Sequence, residues 1–377
     1  MVRTILLTAA VAAWTLVGGA AGEKGVYEVR DYGAKGDGRT DDTAAIQKAI
    51  DAAAKTGGVV VFTPGTYLTG ELQLRDGSHL RGERTNRYGR DVLGGNVWLQ
   101  QRRDETSRCV LNLTGAYGVR LYGLGVHGLG PEGSRPVHGV LLDGGCHSRT
   151  NDAPLIDSCR IRQMTGDGVR LVSAFVFTLR CTSLSHCGGD GFNMTGCDGF
   201  VLDCTLADNY GAGLRSNGST AVTITGNRIE WNKKCGLNLT GCSHYNINGN
   251  YIDRCGEAGI LLAGCGTTVA TGNIIYRCGK ADWQPKGVEY MSTGVKLLQS
   301  KNISFTGNVF TWGGDDRTGD NVSPQYGMVL ANLDCAVIAN NTLMNGAIEK
   351  LIVDLGGIST NCVIRDNVGT LAKQSKK

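Results

Sequence analysis

Between Cys159 and Gly279 the apolar positions come in short alternating runs, and the runs return on a fixed period. The segments Cys159-Arg-Ile-Arg, Cys181-Thr-Ser-Leu, Cys204-Thr-Leu-Ala, Asn227-Arg-Ile-Glu, Asn250-Tyr-Ile-Asp and Asn273-Ile-Ile-Tyr start 22 or 23 residues apart. A second marker keeps the same step: Gly168-Val-Arg-Leu, Gly191-Phe-Asn-Met, Gly213-Leu-Arg-Ser, Gly236-Leu-Asn-Leu and Gly259-Ile-Leu-Leu. Two markers in phase identify a stacked repeat. No stretch within a repeat carries the 3.6-residue period of a helix, and the Leu and Asn spacing of a leucine-rich repeat is missing. One turn of a parallel β-helix fits, with two or three short strands per coil and coils stacked about 4.8 Å apart. The expectation is an all-β, single-stranded right-handed parallel β-helix of about ten coils.

Identical positions should then form ladders up the cylinder. Asn227, Asn250, Asn273, Asn308 and Asn341 follow Gly226, Gly249, Gly272, Gly307 and Asn340, a pairing that supplies positive φ at a corner and an amide to bond its copy one coil away. Cys197, Cys242 and Cys265 mark a second line, with Ser219 and Ser300 in register. Beyond Cys278 the step widens to 35 and then 33 residues, from Asn273 to Asn308 to Asn341, so two coils carry insertions.

The N-terminal part follows another pattern. Val26 to Val29 reads as a strand and Asp31 to Thr40 as a turn-rich loop. Asp41 and Asp42 can cap a helix over Thr43–Ala54 that ends at Gly57-Gly58; Val59 to Phe62 is then a buried strand and Pro64-Gly65 a turn. A short amphipathic helix here would cover the open end of the cylinder. The boundaries that follow are an export signal over 1–22, an N-terminal cap with the first strands over 23–80, and the β-helix over 81–377.

The segment from Tyr27 to Tyr67, DYGAKGDGRTDDTAAIQKAIDAA followed by GGVVVFTPGTY, resembles the N-terminal module of the pectate-lyase-like superfamily. Polygalacturonases, rhamnogalacturonases, β-1,3-glucanases, mannuronan epimerases and phage tailspikes share that module. The resemblance implies the β-helix and a carbohydrate-active protein. It does not specify a reaction, because the module's glycines and aspartates serve the turn and the cap.

Charge and composition narrow the picture. Gly is abundant, at 57 residues, as turn-rich coils require. A net charge of +4 without a Lys/Arg run gives no reason to expect a nucleic-acid partner. Arg3, the apolar run Ile5 to Val17 and the small residues Gly18 to Gly22 read as a signal peptide too short to span a bilayer comfortably, which predicts a secreted, periplasmic or cell-surface protein. An uncleaved anchor is the other reading. The 14 cysteines could pair in such a compartment, but their ladder positions favour packing as small apolar side chains for most. No Cys-x-x-Cys or His-x-His spacing points to a metal, and no oligomeric state follows.

Side chains alternate in and out along a strand. On the glycine-led strands Val169, Phe192, Leu214, Leu237, Ile260, Val295 and Met328 should face inward. The next residues, Arg170, Asn193, Arg215, Asn238, Leu261, Lys296 and Val329, should form an outward stripe that is basic and amide-rich over four coils and then largely apolar. Asp167 and Asp190 precede two of these strands and should be neighbours on adjacent coils. Two carboxylates at that spacing push one titration upward, and the pair could activate water, act as acid and base, or hold Ca²⁺, the one cofactor considered. Ordinary Gly-Asp-Gly turn chemistry is the simpler explanation for both. Arg170 and Arg215 could clamp sugar carboxylates, or one could serve a lyase as base; solvated surface arginines are the bland alternative.

The resemblance also allows the polygalacturonase pattern to be laid on this face. That family uses three aspartates on two coils, then a His, an Arg and a Lys. Asp167 matches the first aspartate and Asp190 the last. Gly189 stands where the general acid belongs, Ala212 where the His belongs, and Asn238 and Thr240 replace the Arg and Lys. The Asp-Pro-His-Glu motif of mannuronan epimerases is also missing, with Arg170-Leu-Val-Ser173 near its place. The insertions over 280–293 and 313–325 should rim the same face. On or beside them, Trp283, Tyr290 and Trp312 are candidate sugar-stacking aromatics, and Glu289, Asp315 and Asp316 candidate acids.

The expectation is a polysaccharide-cleaving enzyme for an acidic, pectin-like chain. Asp167 and Asp190 are its catalytic candidates, and Arg170, Asn193, Arg215 and Asn238 its substrate-binding ones. Hydrolysis narrowly leads elimination, and a non-catalytic glycan-binding or surface protein is the alternative.

Overall fold

The computed structural model describes residues 25–82, 96–104, 106–144, 153–279, 291–314 and 322–372. Among them the chain winds into three parallel sheets of 13, 13 and 11 strands, so the coils outnumber the ten expected. One coil shows the path. Val169–Val172 lies in the glycine-led sheet, sheet C. Phe177–Arg180 follows in sheet A and Ser183–Ser185 in sheet B. A loop then returns the chain to sheet C at Phe192–Thr195. The strands pair in register with their copies one coil away, as Val169 with Phe192 and Phe192 with Leu214, except that Asp37–Asp41 shifts register against Gly65–Thr69.

Left-handed residues make the corners. Gly226, Gly249, Gly272 and Gly307 have φ between 61° and 69°, and Asn340 takes 57°. The asparagines that follow form the A–B corner ladder. Asn250 Oδ1 accepts the backbone N–H of Asn227 at 3.1 Å and its side-chain amide at 2.9 Å, while Asn250 Nδ2 donates to Ile224 O and to Asn273 Oδ1, both at 2.9 Å. The line runs on to Asn367. Its members from Asn227 to Asn341 are buried, and each satisfies backbone groups that the turn leaves without a strand partner. The Cys/Ser line is built likewise: Ser219 Oγ accepts from Cys197 N, and Ser300 Oγ from Cys265 N.

The core is a column of stacked apolar side chains. Val169, Phe192, Leu214, Leu237, Ile260, Val295 and Met328 are each fully buried, and Phe177 meets Phe192 edge-on with centroids 5.4 Å apart. Each such side chain contributes about 1.5–3 kcal/mol through burial. At the N-terminal end the helix Thr43–Ala54 lays Ile46, Ala49, Ile50 and Ala53 on the first coils.

Two details of this end depart from the expectation. Asp31 to Thr40 is not all loop: Val29–Tyr32 is a 3₁₀ turn and Asp37–Asp41 a strand. Asp42 occupies the helix N-cap position but makes no side-chain cap. Its carboxylate accepts instead from Lys35 N at 2.7 Å and Gly36 N at 2.9 Å in the preceding loop, while Asp41 Oδ1 accepts from Thr43 N at 3.1 Å at the start of the helix. Among the described residues no helix is long and apolar enough to cross a membrane.

Candidate active site on sheet C

The stripe expected on the outer face of sheet C is present. Arg170, Asn193, Arg215 and Asn238 are direct register partners on four successive strands, and all four are partly exposed. The loops that return from sheet B place Asp167 and Asp190 at the rim of this face, one coil apart. Asp167 Oδ1 accepts the backbone N–H of Asp190 at 2.7 Å, and Asp190 Oδ1 accepts that of Ala212 at 2.6 Å. Each carboxylate therefore caps the loop of the next coil. Gly189 and Gly211 make this possible, because a Cβ at either would overlap Oδ1 of the carboxylate below.

The two carboxylates then differ. Asp190 is saturated: beyond Ala212 N it accepts Arg215 Nε at 2.6 Å, Arg215 Nη2 at 3.2 Å and Asn193 Nδ2 at 3.1 Å. Asp167 Oδ2 has only a long contact with Arg170 Nη1, 3.5 Å, and lies 3.4 Å from His138 Nδ1. Burial, and then the charge of Asp190, pushes the Asp167 carboxyl up to about 6, while Asp190 N–H and Arg170 pull the other way. Among the described residues of this face, Asp167 is the carboxyl that its surroundings push toward neutral pH.

His138 completes the arrangement and is absent from the sequence expectation. Its Nδ1 accepts the backbone N–H of Asp167 at 2.9 Å, so the neutral ring carries its proton on Nε2. Burial, and then Arg170, depresses its titration to about 4. A signal was available: His138-Gly-Val-Leu repeats Asp167-Gly-Val-Arg, and Val140 pairs with Val169. The 29-residue step between them hides the match.

Trp312 is a correction. The expectation put it on the rim as a sugar-stacking ring, but it is 1% exposed, stacked on Phe310 at 5.7 Å and donating Nε1–H to Cys278 O at 3.1 Å. Gly294 leaves it room, since a Cβ there would meet the indole. Trp283, Tyr290, Glu289, Asp315 and Asp316 lie outside the described residues. Farther along, Ala212, Cys235 and Ala258 form a small apolar cluster with Leu261, where the polar stripe ends. Ca²⁺ does not fit between the aspartates in this arrangement. Arg215 already fills Asp190, Arg170 sits beside Asp167, and no cluster of three metal-binding side chains occurs among the described residues.

Comparison with known proteins agrees with this architecture. The model described as "Right handed beta helix region" matches residues 138–310, and "Rhamnogalacturonase A/epimerase, pectate lyase-like" matches residues 26–90. Both matches are to right-handed β-helix or pectate-lyase-like models, so the chain is similar to the pectate-lyase-like right-handed β-helices over these two stretches. Mannuronan C5-epimerase AlgE1 of Azotobacter vinelandii is 28% identical over 219 residues, 54% of this chain and 15% of the epimerase. Alginate lyase 7 of the same organism is 57% identical over 54 residues, 14% of this chain and 6% of the lyase. This chain therefore spans well under two thirds of either relative. Among solved structures, the A-module of the Azotobacter vinelandii mannuronan C-5 epimerase AlgE6 superposes over 92% of this chain and 100% of its own, with a TM-score of 0.54 at 17% identity, a likeness of fold.

Proposed function

We propose that this protein acts on a uronate-containing polysaccharide laid along the outer face of sheet C, and that Asp167 removes the proton α to a uronate carboxylate in an elimination. The carrying observation is the asymmetry of the two carboxylates. Asp190 has its oxygens filled by Arg215, Asn193 and Ala212 N–H, whereas Asp167 keeps Oδ2 available. A hydrolase of the two-carboxylate type needs a second working acid or base, and Asp190 is engaged as a clamp. One titratable carboxylate flanked by two guanidinium groups suits proton abstraction instead. Arg170, held only by a long contact to Asp167, neutralises the sugar carboxylate and acidifies its α C–H, Arg215 stands beside it clamped on Asp190, and Asp167 accepts the proton. The C–H bond at C5 breaks, the C4–C5 double bond forms, and the glycosidic oxygen at C4 leaves and takes a proton from water. His138 holds Asp167 by its backbone N–H. The partial relatives named as an alginate lyase and a mannuronan C5-epimerase support the uronate class.

Hydrolysis remains the second reading, favoured by the adjacency of Asp167 and Asp190. The test is a panel of polyuronates and neutral glycans, assayed for both new reducing ends and ultraviolet absorbance. Elimination gives both signals on polyuronates. Reducing ends without absorbance select hydrolysis, and binding without product selects the non-catalytic alternative.

A further inference from the structure

We propose that His138 is a further catalytic residue: its Nε2–H donates to the uronate carboxylate that Arg170 neutralises, and so stabilises the charge that gathers there as Asp167 takes the α proton. The inference rests on the elimination proposed above and gives the ring a part in it beyond holding Asp167.

The two ring nitrogens have separate surroundings. Nδ1 accepts the backbone N–H of Asp167 at 2.9 Å. That edge of the ring lies against the loop, since a Cβ at Gly166 would meet Nδ1 and Cε1. In an imidazole the two nitrogens point away from each other, so Nε2–H is directed away from the loop that Nδ1 braces. Among the described residues no protein group accepts from Nε2–H, and the atom is not sealed from solvent, although the side chain is only 13% exposed. A half-buried ring with one open donor is equipped for an acceptor from outside.

The neighbours place that donor on the substrate face. The charges that act on the ring are those of Arg170, Asp143 and Arg108. Arg170 and Asp143 stand on paired strands of sheet C, and all three side chains reach solvent. Asp143 is engaged by Arg108 at 3.3 Å, whereas Arg170 makes only its long contact with Asp167. A sugar carboxylate drawn to Arg170 therefore comes beside the imidazole.

The charge state of the ring fits the task. Burial, and then Arg170, keep it neutral down to about 4. A neutral N–H adds a donor without repelling Arg170 and without competing for the proton that Asp167 accepts. As the C5–H bond breaks, its electron pair moves into the bond to the carboxylate carbon, and a carboxylate oxygen gains charge. His138 keeps its own proton throughout. Its hydrogen bond to that oxygen is stronger in the transition state than in the bound substrate, so it acts on kcat more than on KM.

Steady-state elimination of polygalacturonate and polymannuronate by the wild type and His138→Asn tests this, read by ultraviolet absorbance. Asn places Oδ1 where Nδ1 stands, so Asp167 N–H keeps its acceptor, and it puts nothing at the place of Nε2. In the variant kcat should fall by about a hundredfold or more, the scale of one lost donor to a developing oxyanion, with KM and melting temperature close to wild type. The residual rate should still climb through an apparent pKa near 6, the mark of an Asp167 that is held as before. A kcat within a few-fold of wild type reduces His138 to a holder of Asp167 and overturns the proposal, as does a loss of rate accompanied by a displaced pH limb. Should the variant fail to fold, nitrogen-15 spectra of the wild type decide. The ring should be neutral with its proton on Nε2 at neutral pH, and the Nε2 resonance should move when uronate trisaccharides are added; the other tautomer, or an unmoved resonance, overturns the proposal. Wild-type protein that forms no unsaturated product from either polymer sinks the elimination reading and this proposal with it, whereas unsaturated product formed equally well by His138→Asn sinks this proposal alone.

Discussion

The carboxylate of Asp167 fills the space that a side chain at Gly189 would need, since a Cβ there would overlap Oδ1. Gly189 is also where the polygalacturonase pattern would carry its acid. The two arrangements are mutually exclusive on this backbone: this chain caps its loop with Asp167 in place of presenting an acid at 189. Gly189→Ala should displace the Asp167 carboxyl and break its bond to Asp190 N. Activity on the best polyuronate should fall by about two orders of magnitude, the scale of a misplaced catalytic group, while circular dichroism still reports the folded solenoid.

Asp167 also carries a stability cost. Its carboxyl titrates near 6 when folded, against about 3.9 in an unfolded chain. Between pH 4 and 6 the folded state therefore holds the extra proton, and stability falls as pH rises through that window, by up to about 3 kcal/mol in all. Asp167→Asn lacks this titration and retains an oxygen for Asp190 N–H. Melting curves should show the variant gaining on the wild type from pH 4 to 6 and holding a constant lead above, with activity abolished. Parallel melting temperatures across that range would contradict the assigned titration.

Asp190 and Arg215 act as one unit, with guanidinium Nε and Nη2 on the two carboxylate oxygens. Arg215→Lys keeps the charge and loses the fork. It should raise KM about tenfold, a loss of one charge-assisted bond, with a smaller change in kcat. Asp190→Asn should likewise act mainly through KM. If it abolished turnover as completely as Asp167→Asn, Asp190 would be a working carboxylate and hydrolysis would regain the lead.

Trp312→Ala should cost about 3–5 kcal/mol by emptying a core site, with KM unchanged in the folded fraction. Trp312→Phe keeps the stack on Phe310 and loses the bond to Cys278 O, a change of about 1 kcal/mol. Denaturant titration with parallel kinetics separates this core role from a sugar-stacking one, which would move KM first.

Asn250→Ala breaks the corner ladder in the middle, leaving Asn227 N–H, Ile224 O and Asn273 Oδ1 short of partners. Each buried orphan costs about 1–3 kcal/mol, so the substitution should be among the most destabilising at the corners of the cylinder, read as a lowered denaturant midpoint.

The repeat made much of this legible in advance. A ladder position fixes a residue's height, its facing and its neighbours together, so Asn250, Phe192 and Arg170 could each be placed from one period. Legibility failed where chain left the cylinder. The long step before Asp167 hid His138, although the His-Gly-Val segment copies Asp-Gly-Val. At Trp312 the failure was conformational. Its counterpart one coil earlier, Arg277, turns the chain with φ 52°, as Arg254 and Trp231 do in their coils, but Trp312 lacks the left-handed turn and folds inward beside Gly294. Periodicity carries no information about which aromatic breaks a ladder. Nor does it reveal that Asp190 is saturated, which depends on the reach of the Arg215 side chain.

The most direct test is the pH profile of unsaturated-uronate absorbance on the preferred polyuronate, for the wild type and Asp167→Asn. The account predicts a wild-type rate that climbs with pH through an apparent pKa near 6 and is absent in the variant. A rate that persists in Asp167→Asn, or cleavage that releases reducing ends without the chromophore, would contradict it.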